Sequence, residues 1–502
     1  MNKILLIIFT LSMNTLFGQR EAYSWIHGNC DLEFNNCENV YGTAIIKFND
    51  DSIESIRRVD FPGSFAIHAS SISDENGNLL LASNQDYIFD STGNILVDFY
   101  SNDTLQDFRS YRQSSYFFKL NDQSNVYYYL NDKTIGITPP DNEPLITNRS
   151  VSIYLTKILS NENGYQVLST DTFNRSDTLI GGGMHACRHA NGRDWWIFKN
   201  TFNQKSYLRG LLTPHGLSFE IYNGPGPDAF QNSGRNQFSS DGTKLFHYIT
   251  TSFRKMQIYD FDRCTGELSN FREIDFSNYV PYPPADFTPY VLSPDASKIY
   301  MGRSNPGPEF SYQNIQVDVE TGQMTVVGDT VFVPCLTPNL KWVVSGYHSE
   351  PFTLVDKLNV YTQPNELGQE CGRIKDLYSL FIDGFRTEPI EYANHLLGPI
   401  DGSNCDTLGL NDETSINNLE QFSFNLFPNP GNEFIHFTTD LPLPLKLVIR
   451  DNQGRIMIKE TKNQKVFSVQ DGISDLNTGI YFIELQSLKK PNRLVKKWMK
   501  ME

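Results

Sequence analysis

The stretch of the 502-residue chain with the most potential for chemistry is glycine-rich and contains His185, Cys187 and His189, with Asp194 close behind. On a strand, alternating side chains project to one face about 7 Å apart, so these groups could hold a metal ion. Ligands that follow one another along a single strand rarely converge on one ion, however. We therefore expect no metal and no cofactor here. We interpret the stretch as a glycine-rich strand entry, a disulfide half and two hydrogen-bonded histidines.

The residues that follow, Arg193-Asp194-Trp195-Trp196, allow two interpretations. Arg193 and Asp194 could pair at a turn while the two indoles fill an interface between sheets. Alternatively, Trp195 and Trp196 could contact a ligand, since aromatic side chains are common in binding sites. We expect packing to be their main role and keep both tryptophans as candidate binding residues.

Other candidate motifs are weaker. Asp74-Glu75-Asn76-Gly77-Asn78 resembles a calcium loop but lacks the distant bidentate glutamate, so a hairpin turn explains it better. The chain has neither a Gly-x-Ser-x-Gly elbow nor a P-loop. We expect no catalytic residue.

The middle of the chain repeats a turn followed by an apolar strand. Clear copies begin at Ser239 and Ser293, and a third, more divergent copy begins at Thr337. An earlier relative begins at Ser73, and weaker units begin near Asn121 and Ala190. A period of roughly 40–50 residues with several short strands per unit is typical of a β-propeller. Residues 19–410 have room for about seven blades. Solenoids have shorter periods, and helical repeats would need a 3.6-residue pattern that this region lacks.

The Ser-Pro-Asp-x-x-Lys turn at Ser293 resembles the blade turns of WD40-like and related bacterial propellers. Three stretches also resemble a group of secreted Bacteroidetes propeller proteins of undefined activity: residues 189–196, 260–266 and 397–406. This resemblance implies a fold and a compartment. It implies no reaction.

The last eighty residues have a different pattern. Pro428-Asn429-Pro430 precedes short alternating strands, a hairpin turns at Gly454, and Gly479-Ile480-Tyr481 precedes a lysine-rich end. In this order the motifs resemble the type A C-terminal sorting domain of Bacteroidetes type IX secretion cargo. The resemblance implies that the type IX secretion machinery is a partner and that the sorting signal includes Pro428, Asn429, Pro430, Gly454, Gly479 and Tyr481. We expect Gly479 to permit a turn, and Lys489, Lys490, Lys496, Lys497 and Lys500 to form a basic surface.

The first residues predict export as well. Lys3 precedes an apolar run from Ile4 to Phe17, and Gly18 marks a plausible cleavage region. This run is too short to cross a membrane, and we expect no integral membrane segment. We predict a signal peptide at 1–18, a propeller at 19–410, a linker at 411–421 and a sorting domain at 422–502.

Charge separates the two expected domains. The chain carries a formal net charge of −16, which argues against a nucleic-acid partner. Residues 422–502 contain 12 Lys and Arg against 8 Asp and Glu, a net of +4, so the preceding 421 residues carry −20. The two parts therefore suit different partners.

Seven cysteines lie outside the terminal segments, and in an exported protein we expect disulfides. Cys30 with Cys37, and Cys335 with Cys371, are candidate pairs, although connectivity does not follow from spacing.

Together these observations predict an all-β protein, a propeller followed by a small β-sandwich, that is secreted or displayed on the outer surface after passing through the periplasm. The propeller is expected to bind an extracellular glycan or protein. The alternative is a hydrolase of glycans or peptides at the propeller mouth, which would require several Asp, Glu, His or Arg side chains to converge at one end of the channel.

Overall fold

The chain consists mainly of short antiparallel strands. The computed structural model describes residues 20–30, 40–62, 65, 69–99, 114–121, 125–136, 148–174, 179–201, 206–226, 234–249, 255–276, 290–305, 311–328, 334–346, 357–379, 392–408, 424–439, 441–451, 455–489 and 493–501. These residues contain 34 strands, one 3₁₀ turn at Gly368–Cys371 and no α-helix. They divide into two compact units, residues 1–414 and residues 415–502.

The described strands of the first unit form seven consecutive antiparallel groups, which we call blades 1 to 7 in chain order. Blade 1 comprises β1 (Ser24–Cys30), β2 (Val40–Phe48) and β3 (Ile53–Val59); blade 2 comprises β4 (Ser70–Ser73), β5 (Leu79–Ser83), β6 (Tyr87–Asp90) and β7 (Ile95–Asp98). Blade 3 comprises β8 (Ser115–Lys119), β9 (Val126–Gly136), β10 (Asn148–Asn161) and β11 (Gly164–Asn174); blade 4 comprises β12 (Leu179–Arg188), β13 (Trp195–Thr201), β14 (Ser206–Thr213) and β15 (Gly216–Asn223).

The last three blades repeat the four-stranded pattern. Blade 5 comprises β16 (Gly234–Phe238), β17 (Lys244–Ile249), β18 (Lys255–Asp262) and β19 (Glu267–Asp275); blade 6 comprises β20 (Tyr290–Leu292), β21 (Lys298–Asn305), β22 (Ser311–Asp318) and β23 (Met324–Gly328); blade 7 comprises β24 (Pro334–Leu336), β25 (Val343–Gly346), β26 (Lys357–Tyr361) and β27 (Arg373–Ser379). One residue pair of β10 and β12 also joins blades 3 and 4 into a continuous sheet.

The hydrophobic clusters show that the blades form a ring. Separate buried clusters lie between blades 2 and 3, 3 and 4, 4 and 5, 5 and 6, and 6 and 7. A further cluster combines Trp25 and Ile45 of blade 1 with Val344 and Val360 of blade 7, and continues into blade 2. Each blade therefore buries its faces against its neighbours, and the last blade packs against the first.

The repeated motif is explained by one turn between the first and second strands of a blade. In blade 5, Ser239 Oγ donates to Asp241 Oδ1 and accepts the backbone N–H of Lys244, while Asp241 accepts the N–H of Thr243. The same bonds recur at Ser293 and Asp295 in blade 6. A serine hydroxyl and an aspartate two residues later thus satisfy the turn's backbone donors locally, which is why the motif is visible in sequence.

The second unit is a small sandwich of two sheets. Its strands are β28 (Phe424–Phe427), β29 (Ile435–Thr439), β30 (Leu445–Asp451), β31 (Ile456–Lys462), β32 (Val466–Val469), β33 (Gly479–Ser487) and β34 (Arg493–Lys500). One sheet has the order β28-β29-β32 and the other β31-β30-β33-β34. Phe437, Leu447, Ile483 and Trp498 are fully buried in the core between them.

The predicted fold class, a β-propeller of about seven blades followed by a small β-sandwich, is confirmed. The predicted signal peptide at 1–18 and linker at 411–421 lie outside the described residues. Across the part of the chain that the structure describes, no helix has the length and apolar character needed to span a membrane.

Candidate functional site

The innermost strands of blades 3 to 7 enclose a small cavity of about 70 Å³ that admits water-sized molecules. Its lining is largely aromatic and apolar, including Tyr116, Phe238, Tyr290 and Leu336. Among the described lining residues, His185 and Arg235 are the only members of the group Asp, Glu, His and Arg. Burial, followed by the nearby Arg235 guanidinium, lowers the pKa of His185 to about 3, so this imidazole is neutral at ordinary pH.

The structure separates the three residues that sequence reasoning had grouped as possible metal ligands. His185 lines the cavity between the rings of Tyr116 and Phe238. Cys187 is buried in the cluster between blades 4 and 5, and His189 lies beyond the end of β12 against Trp196. In the described ranges, no three His, Cys, Asp or Glu side chains are grouped as a metal site requires.

Trp195 and Trp196 project to opposite faces of blade 4. Trp195 is 0 % exposed, and its Nε1 donates to the carbonyl of Lys119 in blade 3 at 3.1 Å. Trp196 is 7 % exposed, and its Nε1 donates to the carbonyl of Arg263 in blade 5 at 2.8 Å. The indoles therefore join blade 4 to both neighbours, as the packing interpretation expects. Their binding role stays a prediction.

The turn that precedes these tryptophans contains the expected ion pair. Arg193 Nε lies 2.7 Å from Asp194 Oδ1, and the amide of Asn191 donates to the other oxygen of Asp194 at 2.8 Å. Asn191 Oδ1 also accepts the backbone N–H groups of Arg193 and Asp194. These bonds fix the turn from which Trp195 and Trp196 enter β13.

The cysteine predictions need correction. Cys335 and Cys371 are not joined to each other, because both are buried thiols in different hydrophobic clusters. Cys187 is also a buried thiol and not a disulfide half. Cys264 is instead bonded to Cys405, 141 residues away. The proposed Cys30–Cys37 pair lies outside the described residues, since Cys37 is not among them.

Sequence reasoning missed the role of the residues after blade 7. We call residues 392–405 the closing segment. The Tyr392 hydroxyl donates to the carbonyl of Leu336 in blade 7 at 2.8 Å, and its ring lies 6.0 Å from that of Trp25 in blade 1. Asn394 donates to the carbonyl of Ser240 in blade 5 at 2.7 Å. The His395 imidazole packs 4.9 Å from the ring of Trp195 in blade 4.

The closing segment ends on the far side of the ring. Ile400 N–H donates to the carbonyl of Ala190 at 2.8 Å, and Leu397 is part of the cluster between blades 4 and 5. The cavity lies directly beneath, since Tyr392, Asn394 and Leu397 contribute to its lining. The segment therefore covers the mouth of the channel on the side of the turns between first and second strands. Its apolar residues and Cys405 were the signals available in the sequence.

In the second unit, the Pro428-Asn429-Pro430 segment and the end of the chain are bonded together. Asn429 Nδ2 donates to the carbonyl of Lys497 at 2.9 Å, and Asn429 Oδ1 accepts the N–H of Met499 at 3.0 Å. Trp498 Nε1 donates to the carbonyl of Pro428 at 2.8 Å. The asparagine side chain thus pairs with β34 as a neighbouring strand would, and it adds to the attachment of the last strand along β33.

The other predicted sorting residues have less distinctive positions. Tyr481 is buried, and its hydroxyl donates to the carbonyl of Asn477 at 2.9 Å. Gly479 is the first residue of β33 and has no left-handed φ; a Cβ there would meet only the carbonyl of Asn477, at 4.0 Å. A turn does not require this glycine, contrary to expectation. Gly454 lies outside the described residues.

The predicted basic surface is smaller than expected. Lys489, Lys496 and Lys497 are exposed, whereas Lys500 is buried and its ammonium group bonds to the carbonyl of Asn432. Lys490 lies outside the described residues. Lys500 therefore contributes to the attachment of the last strand and not to the surface.

Comparison with known proteins supports the interpretation of this second unit. Residues 425–501 match the family described as "Secretion system C-terminal sorting domain", which confirms the resemblance drawn from the motifs. A domain of this family implies export, to the cell surface or the medium. No match was found among the curated proteins.

Several solved structures are similar in fold. A periplasmic gluconolactonase of Pseudomonas aeruginosa is 15% identical over 73% of this chain and 97% of that one, with a TM-score of 0.41. PorZ, a surface component of the type IX secretion system of Porphyromonas gingivalis, is 10% identical over 92% of this chain and 68% of that one, at 0.30. The propeller domain of the trilobed protease of Pyrococcus furiosus is 11% identical over 77% and 95%, at 0.28. These similarities carry no argument about ligand or reaction.

Proposed function

We propose that this protein is exported through a type IX secretion system, with the C-terminal sandwich as the folded signal and the propeller as a passenger that binds an extracellular ligand. The observation that carries the export half is the sorting-domain match at residues 425–501. The order proposed along the chain is signal peptide 1–18, propeller 19–410, linker 411–421 and sorting domain 422–502. The mature protein is then released or held at the outer surface.

The sandwich is suited to recognition by the secretion machinery through its folded shape. Its Pro-Asn-Pro segment is hydrogen-bonded to its last strand through Asn429, Pro428 and Trp498, although Asn429 and Lys497 are 68 residues apart. A folded passenger cannot be threaded through the outer membrane as a bare strand, so a rigid domain at the end of the chain is a suitable signal. We propose that Pro428, Asn429, Pro430, Gly454, Gly479 and Tyr481 belong to that signal, and that the secretion machinery contacts it.

Truncation tests the export proposal. Removal of residues 480–502 deletes nearly all of β33 and all of β34, two of the four strands of the larger sheet. In a host with the secretion system, we expect the truncated protein in the periplasm, folded and without its signal peptide. Fractionation that recovers it at the surface or in the medium at the wild-type level would refute the proposal.

We propose a binding role for the propeller because the described lining of its channel is mainly apolar and does not gather the acid–base groups that a hydrolase needs. Apolar side chains, with the rings of Tyr116, Phe238, Tyr290 and Tyr392 among them, predominate around the cavity, and His185 is kept neutral by burial. The closing segment covers one mouth of the channel. A ligand is therefore expected at the opposite mouth or on the outer edges of the blades.

A binding screen tests the proposed binding role of the propeller. Mature protein, residues 19–502, would be presented to arrays of extracellular glycans and peptides, with the isolated 422–502 domain as the control for binding by the sandwich. Binding that requires the propeller is expected. A hydrolysed glycan or peptide in the same screen would instead favour the alternative, a secreted hydrolase.

A further inference from the structure

Among the described residues, no strand from the end of the first unit closes the ring. Blade 1 consists of three consecutive strands, β1, β2 and β3, and in the described residues no later strand pairs with them. Blades 7 and 1 are joined instead by side chains. Asn339 Nδ2 donates to the carbonyl of Asn49 at 3.0 Å, Lys341 pairs with Asp51, and a shared hydrophobic cluster lies between the two sheets.

The closing segment supplies a second connection between the two sides of the ring. Tyr392 contacts blades 7 and 1, whereas Gly398 accepts a hydrogen bond from the Arg263 guanidinium in blade 5. In a ring of seven, blades 4 and 5 lie opposite the junction of blades 7 and 1. The chain turns at His395 and Leu396, and there it already contacts blade 5 through Asn394 and blade 4 through His395. The closing segment therefore crosses the channel and is hydrogen-bonded to blades on both sides of it.

The C-terminal end of the closing segment is attached covalently. Cys405 is bonded to Cys264, which lies in the turn between the third and fourth strands of blade 5. The adjacent Arg263 also donates to the carbonyl of Arg188 in blade 4 at 2.8 Å. The approach is close: a Cβ on Gly192 would lie 2.7 Å from Pro399, and one on Gly242 would lie 3.1 Å from Leu397. The turns of blades 4 and 5 are thus shaped to receive the segment.

We infer that the closing segment is a latched cap: it braces the ring and closes one mouth of the channel, and the Cys264–Cys405 disulfide is the latch. The latch forms by oxidation, in which the two thiols lose two protons and two electrons to the disulfide of a thiol oxidant, which is reduced to two thiols. This chemistry is available once the chain has left the cytoplasm, so this step rests on the proposed export. The cap itself does not depend on the export route.

The buried thiols are natural probes of the cap. Cys335 lines the cavity that Tyr392 helps to cover, and Cys187 is packed with Leu397. Burial raises the pKa of Cys187 to about 12, so little thiolate is present while the segment is in place. Cys371 is buried in a different cluster, between blades 6 and 7, and is the internal control.

The experiment compares alkylation by N-ethylmaleimide, resolved by peptide mass spectrometry, in the mature wild-type protein and in the variant Cys264→Ser with Cys405→Ser. We expect alkylation of Cys187 and Cys335 to accelerate by at least about tenfold in the variant, with Cys371 unchanged, because only the region beneath the cap opens locally. Equal acceleration at all three thiols would indicate general destabilisation and overturn the inference. Unchanged rates at all three would show that the disulfide is not the latch.

A second measurement avoids the risk that the variant fails to fold. Folded wild-type protein is treated with a phosphine reductant at a concentration that cleaves Cys264–Cys405, and alkylation is followed as before. The same selective acceleration of Cys187 and Cys335 is expected. Protection that persists after cleavage of the bond, verified on the same peptides, would overturn the latch.

Discussion

Lys199 Nζ lies 2.6 Å from Asp132 Oδ2, and both side chains are completely buried between blades 4 and 3. The lysine also donates to the carbonyl of Gly182 at 2.8 Å, and the Gly182 N–H donates to the same carboxylate oxygen at 3.1 Å. Removal of one partner of a buried pair leaves an uncompensated charge. It therefore destabilises far more than the loss of an exposed pair.

The first prediction concerns this pair. Lys199→Met is expected to lower the free energy of unfolding by about 3–5 kcal/mol, and the double variant with Asp132→Leu to recover part of the loss. The control is Lys244→Met, which breaks a pair whose side chains are each 40% exposed and should cost less than about 1 kcal/mol. Urea denaturation measures all three. Equal effects at Lys199 and Lys244 would contradict the assignment of a buried pair.

The second prediction tests how closely the closing segment approaches blade 4. Gly192 and Gly402 have nearly the same left-handed φ, 73° and 71°, so alanine strains the backbone similarly at both. A Cβ at 192 would lie 2.7 Å from Pro399, whereas one at 402 would meet nothing within 4 Å. Gly192→Ala should therefore destabilise by about 1–3 kcal/mol more than Gly402→Ala in thermal unfolding. Indistinguishable losses would mean that the segment does not pack on this turn.

The third prediction concerns pH. Burial lowers the pKa of His247 to about 4, well below the value of about 6.5 in an unfolded chain. Between these values the unfolded state binds the extra proton, so the contribution of the neutral histidine is complete above about pH 6.5 and is lost as the pH falls towards 4. His247→Gln should reduce the loss of stability between about pH 7.5 and pH 5 by about 2 kcal/mol.

Denaturant titrations at the two pH values measure this difference. His215→Gln is the matched control for the replacement of a histidine by glutamine, because His215 is exposed. A variant at His247 with the full wild-type loss of stability on acidification would show that this imidazole is not a source of the dependence.

The features of the fold that could be predicted from the sequence are those that short-range hydrogen bonds determine. The turns at Ser239 and Ser293 close on residues no more than five positions away, so their motif is local and revealed the repeat. Long-range partners were not predictable from one sequence. The Cys264–Cys405 bond joins residues 141 positions apart, and nothing in the spacing favoured it over the wrong pair Cys335 and Cys371.

The sorting domain shows the same limit. Its motifs identified the family, but not the bonds of Asn429 to β34, nor the burial of Lys500, because both depend on how the ends of the sandwich meet. A turn was predicted at Gly479 from its residue type alone, but Gly479 is the first residue of strand β33. A glycine is weak evidence for a turn when the backbone at that position does not require a positive φ.

The fourth prediction is that the propeller folds without the sorting domain. Blades 1 to 7 and the closing segment lie within the first compact unit, and each unit has a hydrophobic core of its own. A fragment of residues 20–410 should be soluble, monomeric and rich in β-structure by circular dichroism. Sedimentation velocity and the spectrum test this. Aggregation of the fragment, while the mature full-length protein is well behaved, would show that the proposed boundary is wrong.

The fifth prediction separates the last strand's attachment from the rest of the sorting domain. Asn429→Ala removes both side-chain bonds to β34, whereas Asn425→Ala removes only a 3.3 Å contact with Lys496 on the surface. Each hydrogen bond contributes about 1 kcal/mol, so the first change should loosen β34 and leave the core of the sandwich folded. Hydrogen exchange of the isolated domain should show faster exchange in β34 for Asn429→Ala alone; identical protection in both variants would contradict this role.

The central claim is that residues 422–502 direct export. Fusion of this domain to another protein tests that claim most directly. The domain would be fused to a foreign protein that carries its own signal peptide, and expressed in a host with a type IX secretion system. Cell fractionation should find the wild-type fusion at the surface or in the medium, the Asn425→Ala fusion likewise, and the Asn429→Ala fusion enriched in the periplasm. Retention of the wild-type fusion in the periplasm, where the unfused foreign protein also remains, would contradict the account.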